Sequence, residues 1–424
     1  MTKNINAVIL AAGKGTRMKS ETSKVLHKIF DKTLLGYVID AVNKTNLIEK
    51  SFVIVGHQAE EVENFVKNNY DNASCALQSP QLGTGHAVSM VCPQLENFDG
   101  EILILCGDTP LVTEETLKKF IKYHREKSSD LTVMSAIFED PTNYGRIVRD
   151  GEKLASIVEE KDASPAQKKI KEVNAGIYLL NWQKIKPAFS QLTSNNAQGE
   201  YYLTDIISWG GKCGLNVNAY TLENNEEIFG INSKLHLAEA TKMLNQKTVS
   251  KHMENGVTIV DPATTWISVD TEIGADTVIY PNVYITGKNK IGAKCSIGPF
   301  AHIRGDVELG ESVKIGNFVE VKKSKIASNT NACHLTYIGD SQIGSGVNVG
   351  AGTITANYNH FTKVKSKTTI KDGASIGSNS VLVAPVEIGT QATVGAGTVV
   401  TKDVEDKALA VARAPMRTIE NYSK

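Results

Sequence analysis

The sequence predicts two architectures in series, an α/β domain followed by a parallel β-helix. Two periodicities carry this prediction. Short apolar runs at 5–10, 52–55, 102–105, 131–136 and 176–180 alternate with helix-like segments at 34–43, 60–68 and 114–124. Such alternation packs a largely parallel sheet between helices. From Ile273 the period becomes six. The units read IGADTV, IYPNVY, IGAKCS, IGPFAH, IRGDVE, LGESVK and IGNFVE, then IGSGVN, VGAGTI, IKDGAS, IGSNSV, LVAPVE, IGTQAT and VGAGTV. Each opens on an aliphatic residue, usually followed by Gly, with a small or β-branched residue usually fifth. A period of six is not helical. It fits a solenoid in which one hexad forms one face and three close a coil, so that stacking buries a continuous core. Between the two parts, residues 230–254 are polar with apolar residues at helical spacing, the pattern of a connecting helix. The expected organisation is a domain at 1–229, a linker helix at 230–254 and the β-helix at 255–424.

Composition narrows the function classes. Lys+Arg and Asp+Glu are 46 each in 424 residues, so the net charge is zero. That gives no bulk attraction to nucleic acid or to a membrane surface, and any anion site must be local. No apolar run reaches the ~18 residues of a membrane span. The N-terminal MTKNINAVIL lacks the longer apolar core and cleavage site of a signal peptide. The six cysteines show no metal-binding spacing and read as scattered reduced thiols. A cytoplasmic protein without nucleic-acid partners is expected.

The first strand runs into LAAGKGTRM (10–18). Small residues there let backbone N–H groups approach a phosphate, and the basic residues can meet its charge. The loop is not a P-loop, and Met18 breaks the dinucleotide-binding pattern. Taken alone it could be a tight strand-to-helix turn. It is followed, in order, by SKVL (23–26), Gln78, QLGTGHA (81–87), CGDTPL (106–111), YGRI (144–147), VEEKD (158–162), NAGI (174–177) and GIN (230–232).

With these motifs the chain resembles the sugar-nucleotide pyrophosphorylases, and most of all the bifunctional enzymes that make UDP-N-acetylglucosamine. The resemblance covers essentially the whole chain. It implies a Rossmann-like nucleotidyltransferase domain followed by a left-handed β-helix of hexapeptide repeats. It also implies UTP, N-acetylglucosamine 1-phosphate, glucosamine 1-phosphate and acetyl-CoA as substrates. Uridylyl transfer brings two polyanions together, so its catalysis needs cations and positioning more than a nucleophile. Asp108, at the end of the apolar strand EILILCGD, can hold Mg²⁺ between phosphates. By resemblance Asn232 is the second metal ligand, and Arg17 and Lys24 neutralise the phosphates. Leu10, Gly13, Lys24, Gln78, Gly83, Thr84, Gly145, Glu159, Asn174 and Asn232 are then the UTP and UDP-sugar contacts. Among them Gln78, Gly83 and Thr84 would meet uracil and ribose, and Gly145, Glu159 and Asn174 the sugar. His86 reads as structural. Ser23 stands where the family often has Pro.

In the second part the repeat reads as broken at 322–342, and breaks in a solenoid are where function is grafted. His334 lies there in ACHLTY, which resembles the acetyltransferase site of the same family. Acyl transfer to an amine needs a base, and an imidazole titrates in the right range. His334 is therefore the expected general base, and Cys333 beside it needs no role. The resemblance assigns Arg304, Lys322, Tyr337, Asn348 and Lys363 to glucosamine 1-phosphate. It assigns Ala351, Asn357, Tyr358, Ser378, Ala396 and Arg413 to acetyl-CoA, and it implies a homotrimer. Between IGAKCS and IGPFAH the chain is about a coil or more shorter than is usual in the family. The competing reading is a single-activity sugar-1-phosphate nucleotidyltransferase whose β-helix only mediates oligomerisation.

Overall fold

The computed structural model of the chain describes residues 4–423. It divides into two compact units, Met1–Thr241 and Lys242–Lys424.

The first unit is built on a nine-stranded sheet. Ile5–Leu10 forms β1, whose first five residues are buried. Burial on both faces explains why this strand is apolar apart from Asn6, whose Oδ1 accepts from Lys50 N at 3.1 Å, rather than alternating. α1 (Leu34–Lys44) leads to β2 (Ile48–Val55), and α2 (Ala59–Asn69) to β3 (Ala73–Leu77). α3 (Thr84–Ser89) precedes β4 (Glu101–Cys106), and α4 (Glu114–Glu126) precedes β5 (Leu131–Ile137). A hairpin of β6 (Arg146–Asp150) and β7 (Lys153–Val158) comes before β8 (Glu172–Asn181), α5 (Asp205–Lys212) and β9 (Val217–Thr221). Thr33 and Thr113 cap α1 and α4, accepting from Gly36 N at 3.0 Å and Thr116 N at 3.2 Å.

The strand order is β9-β5-β8-β4-β1-β2-β3, with β6 and β7 attached beside β8. Along this path the sheet is parallel except at β8, which runs antiparallel to both β4 and β5. Apolar clusters cover both faces. From β1 the chain builds outward to β2 and β3, then returns to place β4 on the other side of β1. At such a switch point the loops leaving neighbouring strands diverge and open a crevice at the strands' C-terminal ends. The phosphate-loop motif follows β1 and Asp108 follows β4, so both fall at this crevice.

The predicted linker helix is α6, Lys234–Glu254. Residues 230–233 stay outside it. The Ile231 amide donates to Asp108 O at 2.9 Å, which carries Asn232 to the end of β4.

The second unit winds as a left-handed parallel β-helix whose sides are three parallel sheets of nine, eight and seven short strands. Val278 pairs with Ser296 and Ser296 with Lys314, a repeat of 18 residues per coil. The first residues of the hexads, from Ile279 to Ile315, are at most 4% exposed. The fifth residues Cys295, Ala301, Val307, Val313 and Val319 are buried as well. Asn289 takes a fifth place and is fully buried. It is satisfied there, donating to Thr286 O at 3.0 Å and accepting from Val307 N at 3.1 Å. Ile303 is in the middle of this core at 0% exposure. Ile303→Ala is expected to destabilise the β-helix by ~2–5 kcal/mol. Urea denaturation followed by circular dichroism would show it as a lowered midpoint for the β-helix transition.

The expected break at 322–342 is not a break. The coil continues through it on two five-residue sides, VKKSK (321–325) and IGDSQ (338–342). Lys314 pairs with Asn331 and Tyr337 with Ile354, a spacing of 17. Val321, Ile326, Ala332, Ile338 and Ile343 hold the inward positions. The shortened corners turn at Lys323 (φ 45°) and Asp340 (φ 47°). The real insertion comes one coil later, where Ser341 pairs with Thr368. The excess residues fold outward as a hairpin, with Asn359 N donating to Val364 O at 2.9 Å and Ser366 N to Asn357 O at 2.8 Å.

Candidate active sites

In the first unit a cleft of ≈ 430 Å³ opens at the switch point. Of the residues predicted from sequence, Leu10, Gly13, Lys24, Gln78, Gly83, Thr84 and Asp108 line it. Lys24 Nζ lies 2.5 Å from Asp108 Oδ2 and 3.2 Å from Asn232 Oδ1. Two oxygens from distant segments thus converge on one cationic centre, a donor set suited to a hard cation. Among the described residues no group of three or more His, Cys, Asp or Glu could hold a metal. Water and substrate phosphates would have to complete the coordination of any ion held by Asp108 and Asn232.

Glycine at position 15 is what lets Lys24 approach. Gly15 has φ 59°, and a Cβ there would lie 2.7 Å from Lys24 Cβ. Gly13 has open space where a Cβ would be, on the cleft side of the loop. Gly15→Ala is expected to displace Lys24 and lower nucleotidyl transfer by up to ~10²-fold, the effect of a roughly 1 Å misplacement. Pyrophosphate release would report the loss, with acyl transfer unchanged in the same preparation.

Arg17 is exposed on the turn Thr16–Met18 and makes no hydrogen bond or ion pair among the described residues. The three residues predicted to hold a sugar gather separately. Asn174 N donates to Gly145 O at 2.8 Å, and a Cβ on Gly145 would stand 3.4 Å from Glu159 Oε2. Thr204 Oγ1 donates to Glu159 Oε1 at 3.1 Å, and Asn174 Nδ2 to Tyr178 OH at 2.8 Å. Burial raises the Glu159 carboxyl above its ordinary range, and Asp162 and Asp205 add to this. Burial, with Asp108 nearby, pushes the Cys106 thiol up to about 12, so it is no thiolate nucleophile. Sequence reasoning missed Gln81, Glu200, Thr204 and Tyr178. Gln81 opens the QLGTGHA motif, but nothing local singles out the others.

In the second unit four of the six predicted acyl-CoA residues, Ala351, Ser378, Ala396 and Arg413, form one column with His334, while Asn357 and Tyr358 lie on the outward hairpin. The Gly352 amide donates to His334 O at 3.3 Å, Asn379 N to Ala351 O at 2.7 Å and Gly397 N to Ser378 O at 2.8 Å. Arg413 Nη1 closes the column on Ala396 O at 2.7 Å. His334, Ala351, Ser378, Ala396 and Arg413 therefore descend along successive coils. The side chains between His334 and Arg413 in this column, Ala351, Ser378 and Ala396, are small. His334 and Tyr337 flank the same corner, which turns at Leu335 (φ 49°).

Arg304 pairs in register with Lys322, and Lys322 with Gly339. Arg304 is held by Glu320, with Nη2 2.5 Å from Oε1. Contact with Lys365 lowers the Lys322 ammonium, with burial and Arg304 adding to this. Lys365 was not anticipated from sequence. The predicted Lys363 instead sits exposed in the hairpin at φ 59°. Tyr337 folds over Gly339, where a Cβ would stand 2.4 Å from its hydroxyl and 2.7 Å from Asn357 Nδ2. Asn357 Nδ2 donates to Asp340 Oδ2 at 2.5 Å, so Asp340, also missed, anchors the base of the hairpin. Tyr358 is half exposed beside it. Asn348 stands in the neighbouring sheet, paired with Asn331 on the His334 strand.

Fold and sites together define a nucleotidyltransferase joined to a hexapeptide-repeat transferase. Residues 6–226 match the family Nucleotidyl transferase, and residues 290–323 and 367–402 match Bacterial transferase hexapeptide (six repeats). The "Bifunctional protein GlmU" of Geobacillus thermodenitrificans (strain NG80-2) is 44% identical, over 98% of this chain and 97% of that protein. The protein of the same name from Bacillus subtilis (strain 168) is 42% identical, over 99% and 98%. This chain belongs to the bifunctional GlmU family. The alignment with the Geobacillus protein spans 452 positions against 424 residues here, so this chain carries deletions relative to it.

Proposed function

We propose that this chain makes UDP-N-acetylglucosamine in two steps at separate sites. In the β-helix, the amine of glucosamine 1-phosphate attacks the thioester carbonyl of acetyl-CoA, and the coenzyme A thiolate leaves. His334 takes the proton from the attacking amine. Arg304, Lys322, Tyr337 and Asn348, with Lys363, hold the sugar phosphate. Acetyl-CoA lies along the column from His334 to Arg413, reaching Asn357 and Tyr358 on the hairpin. Four coils at ~4.8 Å each make that path ~19 Å long. The small side chains leave room for an extended chain, and Arg413 meets its phosphates.

In the first unit, a phosphate oxygen of N-acetylglucosamine 1-phosphate attacks the α-phosphorus of UTP, and pyrophosphate leaves. Lys24 and Arg17 neutralise the approaching phosphates. Gln78, Gly83 and Thr84 hold uracil and ribose, and Gly145, Glu159 and Asn174 the sugar. Mg²⁺, held by Asp108 and Asn232, would supply further charge neutralisation. A cytoplasmic location goes with this reading, in which UTP and acetyl-CoA are drawn from the soluble metabolite pool. None of the described helices is long and apolar enough to cross a membrane.

The observation that carries the two-activity reading is the column from His334 to Arg413, which an oligomerisation stalk would not need. Phe300 and Phe318 stack at 5.1 Å on the corner line that continues to Leu335, and all three are exposed. Exposed apolar ladders of this kind mark contact surfaces. Here they support packing of three copies beside the His334 site. Purified protein incubated with glucosamine 1-phosphate, acetyl-CoA, UTP and Mg²⁺ should yield UDP-N-acetylglucosamine and pyrophosphate by mass analysis. Absence of N-acetylglucosamine 1-phosphate when UTP is omitted would reduce the chain to a single activity.

A further inference from the structure

We infer that His86 is a positioning residue that makes the first-unit cleft select pyrimidines presenting a ring N–H, as uracil does, over those presenting a ring-nitrogen acceptor, as cytosine does. The inference rests on the reading that Gln78 and Gly83 meet the base. Gln78 follows β3 and is 3% exposed. Its Nε2 lies 2.9 Å from Gly83 O and 3.1 Å from His86 Nδ1. A carbonyl oxygen only accepts, so the Gly83 contact requires the amide's NH₂ on that side. Nδ1 of His86 is then the acceptor for the second N–H, which leaves the imidazole proton on Nε2.

With both N–H groups engaged, the amide cannot turn over without setting its own oxygen against Gly83 O. Its Oε1 meets no donor among the described residues, and Gln78 lines the cleft. The Gly83 N–H likewise meets no acceptor among the described residues. Gln78 thus presents an acceptor to the cleft and Gly83 a donor. N3–H and a flanking carbonyl of uracil complement that pair. Cytosine offers an acceptor and an amino group in the same places and reverses both contacts. His86 is itself well held: its carbonyl accepts from Ser89 Oγ at 2.7 Å, and its ring lies 6.4 Å from that of Tyr201.

The test compares UTP with CTP in the full-length protein with Mg²⁺, by steady-state kinetics and by calorimetric binding of each nucleotide. His86→Phe keeps the ring but removes the acceptor, the loss of one hydrogen bond. The UTP-over-CTP ratio of kcat/KM is expected to narrow by about tenfold. The change should fall on the KM for UTP with kcat within about twofold, as for lost uniform binding. His86→Asn, which restores an acceptor, should recover part of the ratio, and Gln78→Ala should abolish the preference. A folded His86→Phe with an unchanged ratio, beside a Gln78→Ala that has lost it, overturns the role of His86. An unchanged ratio in Gln78→Ala overturns instead the reading of this wall as the base site. Should His86→Phe fail to fold, His86→Leu carries the same expectation.

Discussion

His334→Ala is expected to lower acetyl transfer by ~10²–10⁴-fold, the usual contribution of a positioned general base, and to leave uridylyl transfer at its normal rate. His334 ends the strand Asn331–His334, and its backbone is held by hydrogen bonds to its carbonyl from Gly352 N at 3.3 Å and Thr336 Oγ1 at 2.7 Å. The ring makes no hydrogen bond among the described residues, so its removal costs the fold little. The effect should therefore lie in kcat, with the KM for acetyl-CoA nearly unchanged. Coenzyme A thiol release measures one activity and pyrophosphate release the other. If both fell together, the two-site reading would be wrong.

Asp108→Ala should do the converse, lowering uridylyl transfer by ~10²–10³-fold, the scale of losing one preorganised electrostatic partner. Asp108 carries two burdens. It is the anionic half of the oxygen pair with Asn232, and it holds Lys24 Nζ at 2.5 Å in a largely buried pair. Without it, Lys24 Nζ keeps, among the described residues, the 3.2 Å contact to Asn232. The metal concentration needed for half-maximal rate should also rise, which separates this variant from one that merely misplaces Lys24. Uridylyl transfer within tenfold of the unaltered protein would remove Asp108 from that role.

Most of the architecture is legible in the sequence because burial dictates it. β1 and β4 are buried on both faces and therefore read as apolar runs, with Asn6 and Glu101 their polar members. In the β-helix, inward-facing Ile and Val recur because each hexad turns one corner. The misread stretch at 322–342 has a definite cause. Two five-residue sides shift the phase of the repeat, and Ala332 takes an inward place usually held by Ile or Val. The coil absorbs the missing residues at Lys323 and Asp340.

The sites were legible in proportion to how locally they are encoded. Lys24, Gln78 and Asp108 sit in compact motifs beside strand ends, and the structure brings them to one cleft. Ala351, Ser378 and Ala396 are ordinary solenoid residues, and only the stacking aligns them below His334. Lys365 and Asp340 gain their neighbours through the hairpin and a shortened corner, which no local pattern announces. His86 acts through Gln78, a pairing visible only once α3 is folded back against the end of β3.

The terminal coil gives the column one further property. Among the described residues Leu409–Ala410 pairs with Thr393–Val394 alone, and Leu409 is 68% exposed. Each rung of a linear stack rests on its neighbours alone, so opening starts at the ends, where it costs least. Arg413 lies beyond that last rung and returns to the column through Ala396. A molecule gripped from His334 to Arg413 fastens the fraying end to the interior. At a concentration of about a hundred times its dissociation constant, such a ligand adds ~2.7 kcal/mol against opening. On the proposed reading of this column as the acyl-donor site, protease resistance of the C-terminal tail is expected to rise with acetyl-CoA concentration.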